Sequence, residues 1–412
     1  TRYSALGTRH SALGTRYSHL MKIALDYTTG IYPGAGIARY TRSLVGALAE
    51  LDGENSYRLF YAARGLPRPT PETRQAAALF RRHPNFRPAR VPMSVRQMFA
   101  VWQRLRAPLP VELFAGRIDL LHSPDFVSPP HLWGIDVITV HDLSFMVVPE
   151  CAEPSLASFL GKTVPRAVRR ADHIIAVSRQ TRDDLVKLLS VPPGKVTVAY
   201  NGVDARFVPG AGVSRAGELR ASLGLPGRFV LHVGTLEPRK NLARLVEAYG
   251  LLLERATDGS GLRDVGLVLA GRRGWLYEPV LAAAERANAA GGRVVLVDYV
   301  RDDDLPTLYN MAAAFAYPSL YEGFGLPAAE ALACGVPTLV SRDGALAEVV
   351  GEAALKVDAY SVEAIAGGLK KLLTDQGLRT HLADAGPQQV AQFTWQAAAR
   401  TVLDVYTKSR VG

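Results

Sequence analysis

Short, almost wholly apolar segments recur along this chain, each followed by a longer stretch with helical spacing. In the first half they are "MKIALDY" (21–27), "YRLFYAA" (57–63), "IDLLHS" (118–123), "DVITVHD" (136–142), "HIIAVS" (173–178) and "KVTVAYNG" (195–202). In the second half they are "RFVLHVGTL" (228–236), "GLVLAG" (266–271), "RVVLVDYV" (293–300), "AAFAYPS" (313–319) and "PTLVS" (337–341). A strand apolar on both faces must be covered on both faces. Alternation with helices therefore implies parallel sheets sandwiched between helix layers. At 412 residues the chain is too long for one ordinary domain. A Pro/Gly-rich join near 205–228 separates the two runs of strands. The expected fold class is α/β: two doubly wound, Rossmann-like domains of similar size, facing each other across a cleft. Ligands in such sheets bind beyond the carboxyl ends of the strands.

The expected domains are 21–205 and 206–392, followed by an amphipathic C-terminal helix over 393–412 that can cross back to the first domain. Residues 1–20 contain near-copies of "TRYSALG" with no apolar pattern worth burying. They read as a tag-like, disordered leader, with Met21 as the natural start.

Composition narrows the class. The chain is 48% apolar and 21% charged. No apolar run reaches the roughly 20 residues that span a bilayer, and no segment reads as a signal peptide. The only cysteines, Cys151 and Cys334, are far apart. That excludes a disulfide framework and fits a reducing cytosol. The net charge of +10 is concentrated in the first half. It peaks over 81–106, "RRHPNFRPARVPMSVRQMFAVWQRLR", which mixes arginines with Phe86, Phe99 and Trp102 and holds no acid. Such a segment suits an anionic membrane surface or a solvated helix face with its aromatics inward. Nucleic acid is not the expected partner.

The chemistry concentrates in "PSLYEGFGLPAAEALACGVPTLVS", Pro318 to Ser341. A strand ends, and a turn with Gly323 and Gly325 lets a ligand approach the backbone. A helix then begins with Pro327 in its first turn and stops at Gly335. The helix start offers free N–H groups and partial positive charge, which suit a phosphate. Glu322 precedes that start and Glu330 lies one turn inside it. Carboxylates accept paired hydrogen bonds from vicinal hydroxyls. One acid for a sugar and one for a ribose, with phosphates between, fits this arrangement.

These residues resemble the donor-site signature of retaining family-4 glycosyltransferases, whose two-domain fold is called GT-B. "VITVHDLSF", "IIAVSRQTRDDL", "VAYNGVD" and "HVGTLEPRKNL" agree in order, and the resemblance covers essentially all of 21–405. It implies that Glu322 binds a donor-sugar hydroxyl and Glu330 the nucleotide ribose. The backbone of Gly323, Phe324, Gly325 and Leu326 would meet sugar and diphosphate. Arg239 and Lys240 would hold the leaving diphosphate, since cations there stabilise the charge that grows as the glycosidic bond breaks. Many relatives carry Arg where Thr235 follows Gly234, so Thr235 has no assigned role. His141 matches a histidine that lies close to the transferred sugar, and Asp142 can cap the next turn. Gly34 and Gly36, in "GIYPGAGIARY", resemble the loop that faces donor phosphates and acceptor. They lack the third glycine of a dinucleotide fingerprint, which argues against a dehydrogenase. Arg39 either meets the acceptor or pairs locally. Tyr299 and Val300 fall in the segment that holds the base. Asp302, Asp303 and Asp304 look like a metal cluster, but read better as caps of the next helix. No metal and no cofactor are expected, because the nucleotide diphosphate sugar is itself the substrate.

The whole run of motifs looks most like bacterial GDP-mannose-dependent mannosyltransferases of surface-polysaccharide assembly. The resemblance thus implies transfer of a hexose, mannose first among candidates, to a hydroxyl of a glycan or lipid-linked acceptor. The protein would be cytoplasmic, peripheral at the inner face of the membrane. UDP-sugar donors, a glycogen- or sucrose-type synthase, a nucleotide-sugar epimerase and a silent sugar-nucleotide-binding protein stay open as alternatives.

Overall fold

The computed structural model describes residues 20–411 except 35, 67, 68 and 258; the repeats of the leader segment lie outside the described residues. Seven parallel strands form the first sheet: β1 (Lys22–Asp26), β2 (Ser56–Ala62), β3 (Phe86–Val91), β4 (Leu120–Ser123), β5 (Ile135–Val140), β6 (His173–Ala176) and β7 (Val196–Val198), in the order β3-β2-β1-β4-β5-β6-β7. Six parallel strands form the second: β8 (Arg228–Val233), β9 (Val265–Ala270), β10 (Val294–Val297), β11 (Ala314–Tyr317), β12 (Thr338–Ser341) and β13 (Leu355–Val357), in the order β10-β9-β8-β11-β12-β13. The inner strands are buried on both faces, as their unbroken apolar sequence requires.

Two strands have no counterpart among the apolar segments. β3, "FRPARV", is an edge strand that exposes Arg87 and Arg90 and tolerates Pro88 because one side lacks a partner. It lies inside the arginine-rich segment, where a helix face is the plainer expectation. β13 is a three-residue edge.

Strand order reverses at β1/β4 and at β8/β11, the switch points where such sheets open a crevice. The helix Trp395–Val411 returns to the first sheet's half and packs along the helix Ile37–Leu51. The Tyr406 hydroxyl meets Nδ1 of His122 at 2.6 Å, and the Trp395 ring sits edge-on to Tyr40 at 5.8 Å.

Direct bonds join the two halves. The Tyr321 hydroxyl donates to Oδ2 of Asp184 at 2.6 Å. The Glu348 carboxylate accepts from the N–H groups of Arg179 and Gln180, at the start of the helix Arg179–Leu189. The indole of Trp275 donates to the Cys151 carbonyl at 2.8 Å. Cys151 and Cys334 are both buried free thiols.

Candidate active site

Between the halves lies a cleft of about 800 Å³. Its walls bring together every candidate named from the sequence: Gly34, Gly36, Arg39 and His141 from the first sheet's loops, and Arg239, Lys240, Tyr299, Val300, Glu322 to Leu326 and Glu330 from the second's. Thr235 and Asp142 line it too.

The glutamate motif folds as its residues dictate. β11 ends at Tyr317, and the helix Leu326–Ala333 starts after Gly325, with Pro327 in its first turn. Gly335 follows at φ 68°, a left-handed stop. Packing requires both turn glycines. A Cβ on Gly323 would overlap the carbonyl oxygen of His141, and one on Gly325 would overlap Leu346.

Glu322 is gripped by both basic residues. Its Oε1 lies 2.5 Å from Nζ of Lys240 and its Oε2 lies 2.9 Å from Nη1 of Arg239. The short turn Pro238–Lys240 that carries these cations is pinned from two sides. Asn241 donates its amide to the carbonyls of Pro318 and Ala359, and the Leu320 N–H donates to the Arg239 carbonyl. Two neighbours complete the network. The other guanidinium nitrogen of Arg239 meets Glu237 at 2.7 Å, and Nζ of Lys240 donates to the Tyr317 hydroxyl at 2.8 Å. Burial alone would push the Glu322 carboxyl up, but Arg239 and Lys240 reverse this and hold it at about 2. Lys240 is lowered by burial and by Arg239, while Glu322 opposes the fall.

Glu330 is buried in the same helix. Its Oε2 accepts from the Tyr309 hydroxyl at 3.0 Å, and its Oε1 lies 2.6 Å from Nη1 of Arg39, a residue of the first sheet's half. Arg39 therefore pairs across the cleft. Burial raises the Glu330 carboxyl, and Arg39 and Tyr309 only partly offset that.

His141 follows β5. Its Nε2 lies 2.9 Å from the Pro124 carbonyl, which can only accept, so that nitrogen carries the hydrogen. In the neutral ring, Nδ1 is left as an acceptor. The Tyr40 ring meets the imidazole edge-on at 4.7 Å and fixes its plane. Asp142 accepts from the Ser144 N–H at 2.9 Å, capping the turn as its position suggests.

The aspartate run departs from the capping expectation. Asp304 occupies the cap position before the helix Leu305–Met311 but makes no side-chain cap bond; its carboxylate is drawn to Arg215 at 2.5 Å. Asp303 faces Arg206 at 3.5 Å, and Asp302 lines the cleft. Among the described residues, no group of three or more His, Cys, Asp or Glu is arranged to hold a metal ion.

Several members of the site were not singled out from the sequence. Glu237 stands inside the "EPRKN" motif, so its signal was present. Tyr309 and Tyr317 sit in apolar runs, where an aromatic reads as core.

Residues 217–389 match the family described as glycosyl transferases group 1, and residues 34–207 match glycosyltransferase family 4. O-antigen chain mannosyltransferase B of Escherichia coli is 30% identical over 398 residues, which is 94% of this chain and 99% of that protein. A D-inositol 3-phosphate glycosyltransferase of Salinispora arenicola is 33% identical over 318 residues, 71% of this chain and 69% of that one. Among solved structures, the sucrose-phosphate synthase from Thermosynechococcus elongatus superposes with a TM-score of 0.71 at 22% identity, covering 94% of this chain and 98% of that one. The likeness to that structure is one of fold. With both halves matched and a full-length relative at this identity, the chain belongs to the group 1/family 4 glycosyltransferases and has their GT-B architecture.

Proposed function

We propose that the protein transfers a hexosyl group, with mannose from GDP-mannose the leading candidate, to a hydroxyl of a glycan or lipid-linked acceptor, with retention at the anomeric carbon. The observation that carries this is the placement of Glu322 between Arg239 and Lys240, beside a helix start and opposite His141. The mannose assignment rests on the names of similar proteins, O-antigen chain mannosyltransferase B and a serotype-specific mannosyltransferase of Escherichia coli.

On this reading the diphosphate lies over the start of the helix Leu326–Ala333, with Arg239 and Lys240 against its oxygens. Glu322 accepts from a sugar hydroxyl and Glu330 from the ribose. When the bond from the anomeric carbon to the phosphate oxygen breaks, the negative charge that develops is met by groups already in place. The acceptor oxygen bonds to the same face of the anomeric carbon, its proton passes to the departing phosphate, and the nucleoside diphosphate leaves. Both oxygens of Glu322 are taken by cations. That favours this front-face course over a double displacement, which needs a free carboxylate against the anomeric carbon.

The reading extends to an anionic membrane surface. All seven arginines between Arg81 and Arg106 are exposed, and none forms an ion pair among the described residues. Phe99 is 46% exposed, lies 5.0 Å from the Phe159 ring at a tilt of 50° and helps to line a groove of about 610 Å³ with Arg96 and Arg104. Among the described residues no helix is long and apolar enough to cross a membrane. Any attachment through this patch would be peripheral.

Calorimetry with GDP-mannose, UDP-glucose, UDP-galactose, UDP-N-acetylglucosamine, GDP and UDP, with and without Mg²⁺, tests the donor. Selective, metal-indifferent binding of GDP and GDP-mannose is expected. Preference for a uridine donor would remove the mannose assignment. Co-sedimentation with anionic vesicles at low salt tests the surface, and no binding would remove it.

A further inference from the structure

The ion pair between Arg39 and Glu330 spans the cleft, and its geometry is incomplete. Nη1 of Arg39 lies 2.6 Å from Oε1 of Glu330, yet Oε1 has no directed hydrogen bond. The contact answers the charge of the carboxylate without filling its lone pair. The Glu330 side chain is 2% exposed, so an unmet acceptor there is costly. The other oxygen is properly satisfied by Tyr309. Thus the carboxylate presents one occupied and one receptive oxygen, and Arg39 sits over the receptive one.

Arg39 is held where it is. It belongs to the helix Ile37–Leu51, which starts at Gly36 with a φ of 53°. Its guanidinium lies 5.1 Å over the Phe207 ring, and Arg206 approaches the same ring at 5.3 Å. Asp204 and Asp302 add attraction from nearby. Arg39 can therefore leave Glu330 without losing every favourable partner.

We propose that Arg39 is a first-domain placeholder in the nucleotide site: it occupies the ribose position on Glu330 in the unliganded protein, and the ribose diol of an incoming nucleoside diphosphate displaces it. This rests on the reading of Glu330 as the ribose carboxylate. It gives Arg39 a role in setting donor affinity in place of an acceptor contact. Binding must release Arg39, so apparent affinity is reduced by the fraction of molecules in which the pair is formed.

The test is calorimetric titration of GDP and UDP into the full chain, comparing wild type with Arg39→Gln, Arg39→Met, Arg39→Lys and the double variant Arg39→Gln with Glu330→Gln, each checked by thermal melting. With the pair formed in about nine molecules of ten, Arg39→Gln and Arg39→Met bind the preferred nucleotide about tenfold more tightly. Arg39→Lys, which keeps the charge, stays closer to wild type. Glu330→Gln also releases Arg39, so the ribose assignment is read in the Arg39→Gln background, where adding Glu330→Gln weakens binding. Equal or weaker binding by both neutral Arg39 variants, alongside that loss in the double variant, overturns the placeholder and leaves the ribose assignment standing. No weakening of the double variant relative to Arg39→Gln overturns both. If either neutral variant fails to fold, the other decides.

Discussion

Gly323 lies so close under the carbonyl oxygen of His141 that a Cβ there would overlap it. The turn that carries Glu322 and the loop that carries the candidate histidine are thus packed main chain against main chain. Gly323 is not in the left-handed region, so its lack of a side chain answers to space and not to backbone conformation. Ala at this position should fold and should hold the halves apart. On the proposed reading nucleoside diphosphate affinity draws mainly on the second half, so it should not fall by more than about threefold, and an opening wide enough to part Arg39 from Glu330 should raise it. Turnover, which on the proposed reading needs His141 near the sugar, should fall about 100-fold in kcat/KM, as small misplacements of reacting groups do. Calorimetry and steady-state kinetics on Gly323→Ala check both. A parallel loss in affinity and turnover would locate the damage in the donor site itself.

Glu322 and Arg239 act as a unit, and their variants should differ in a diagnostic way. Glu322→Gln keeps shape and removes the charge that Arg239 and Lys240 share. Arg239→Ala removes a cation that the proposed function sets against the leaving group. Each should lower kcat by about 100-fold or more. Only Arg239→Ala should weaken binding of the free nucleoside diphosphate strongly, by about tenfold, because the proposed function sets Glu322 against the sugar. Losses below tenfold in kcat for both would remove these residues from the chemistry.

The parts of this site that were legible in the sequence are local in the chain. Glu322, Glu330 and the turn between them are set by one strand end, two glycines and one helix start, all within a dozen residues. The Arg239–Lys240 pair follows a strand in the same way. What stayed hidden depends on partners far along the chain. Asp184 finds Tyr321 at a separation of 137 residues. Asp304 leaves its capping role for Arg215, 89 residues away. A capping preference is worth about 1 kcal/mol, and a charge-assisted bond to an arginine is stronger, so the local rule gave way. β3 was masked because an edge strand exposes polar residues and carries a proline, and so loses the apolar signature of its neighbours.

Asp26 makes stability depend on pH. Burial, with a smaller push from Asp125, raises its carboxyl to about 6 against bonds from Thr28 that lower it. Below an unfolded value near 3.8 both states hold the proton and nothing is lost. Between there and about 6 the unfolded chain releases the proton while the folded one keeps it, so stability falls as pH rises. Above that the penalty is complete, about 3 kcal/mol at most for a shift of this size. Glu322 loses stability as pH falls from about 4.5 toward about 2, equally in wild type and Asp26→Asn, so it cancels in the comparison of the two. Asp26→Asn keeps an oxygen for the Thr28 N–H. It should therefore be more stable than wild type in denaturant melts at pH 8 and indistinguishable near pH 3.5. Equal stability at both pH values would mean that Asp26 is not held in a raised state.

Tyr321 supplies a final test because its two partners lie in the opposite half of the molecule. Its hydroxyl donates to Asp184 at 2.6 Å and lies 3.5 Å from the Leu143 N–H. Tyr321→Phe leaves one oxygen of Asp184 without that donor, while the Gln180 amide still serves the other at 3.0 Å. Leaving a buried acceptor unpaired costs about 1–3 kcal/mol. The loss falls on the closed arrangement, since neither half alone contains the bond. The expected result is a KM for the donor raised about tenfold, with kcat at saturation changed far less. Tyr321→Phe, Asp184→Ala and the double variant should show a coupling of about 1 kcal/mol or more in kcat/KM. Strict additivity would mean that the bond does not form in the state that turns over, and closure would then rest on Glu348 and the Arg179 helix start.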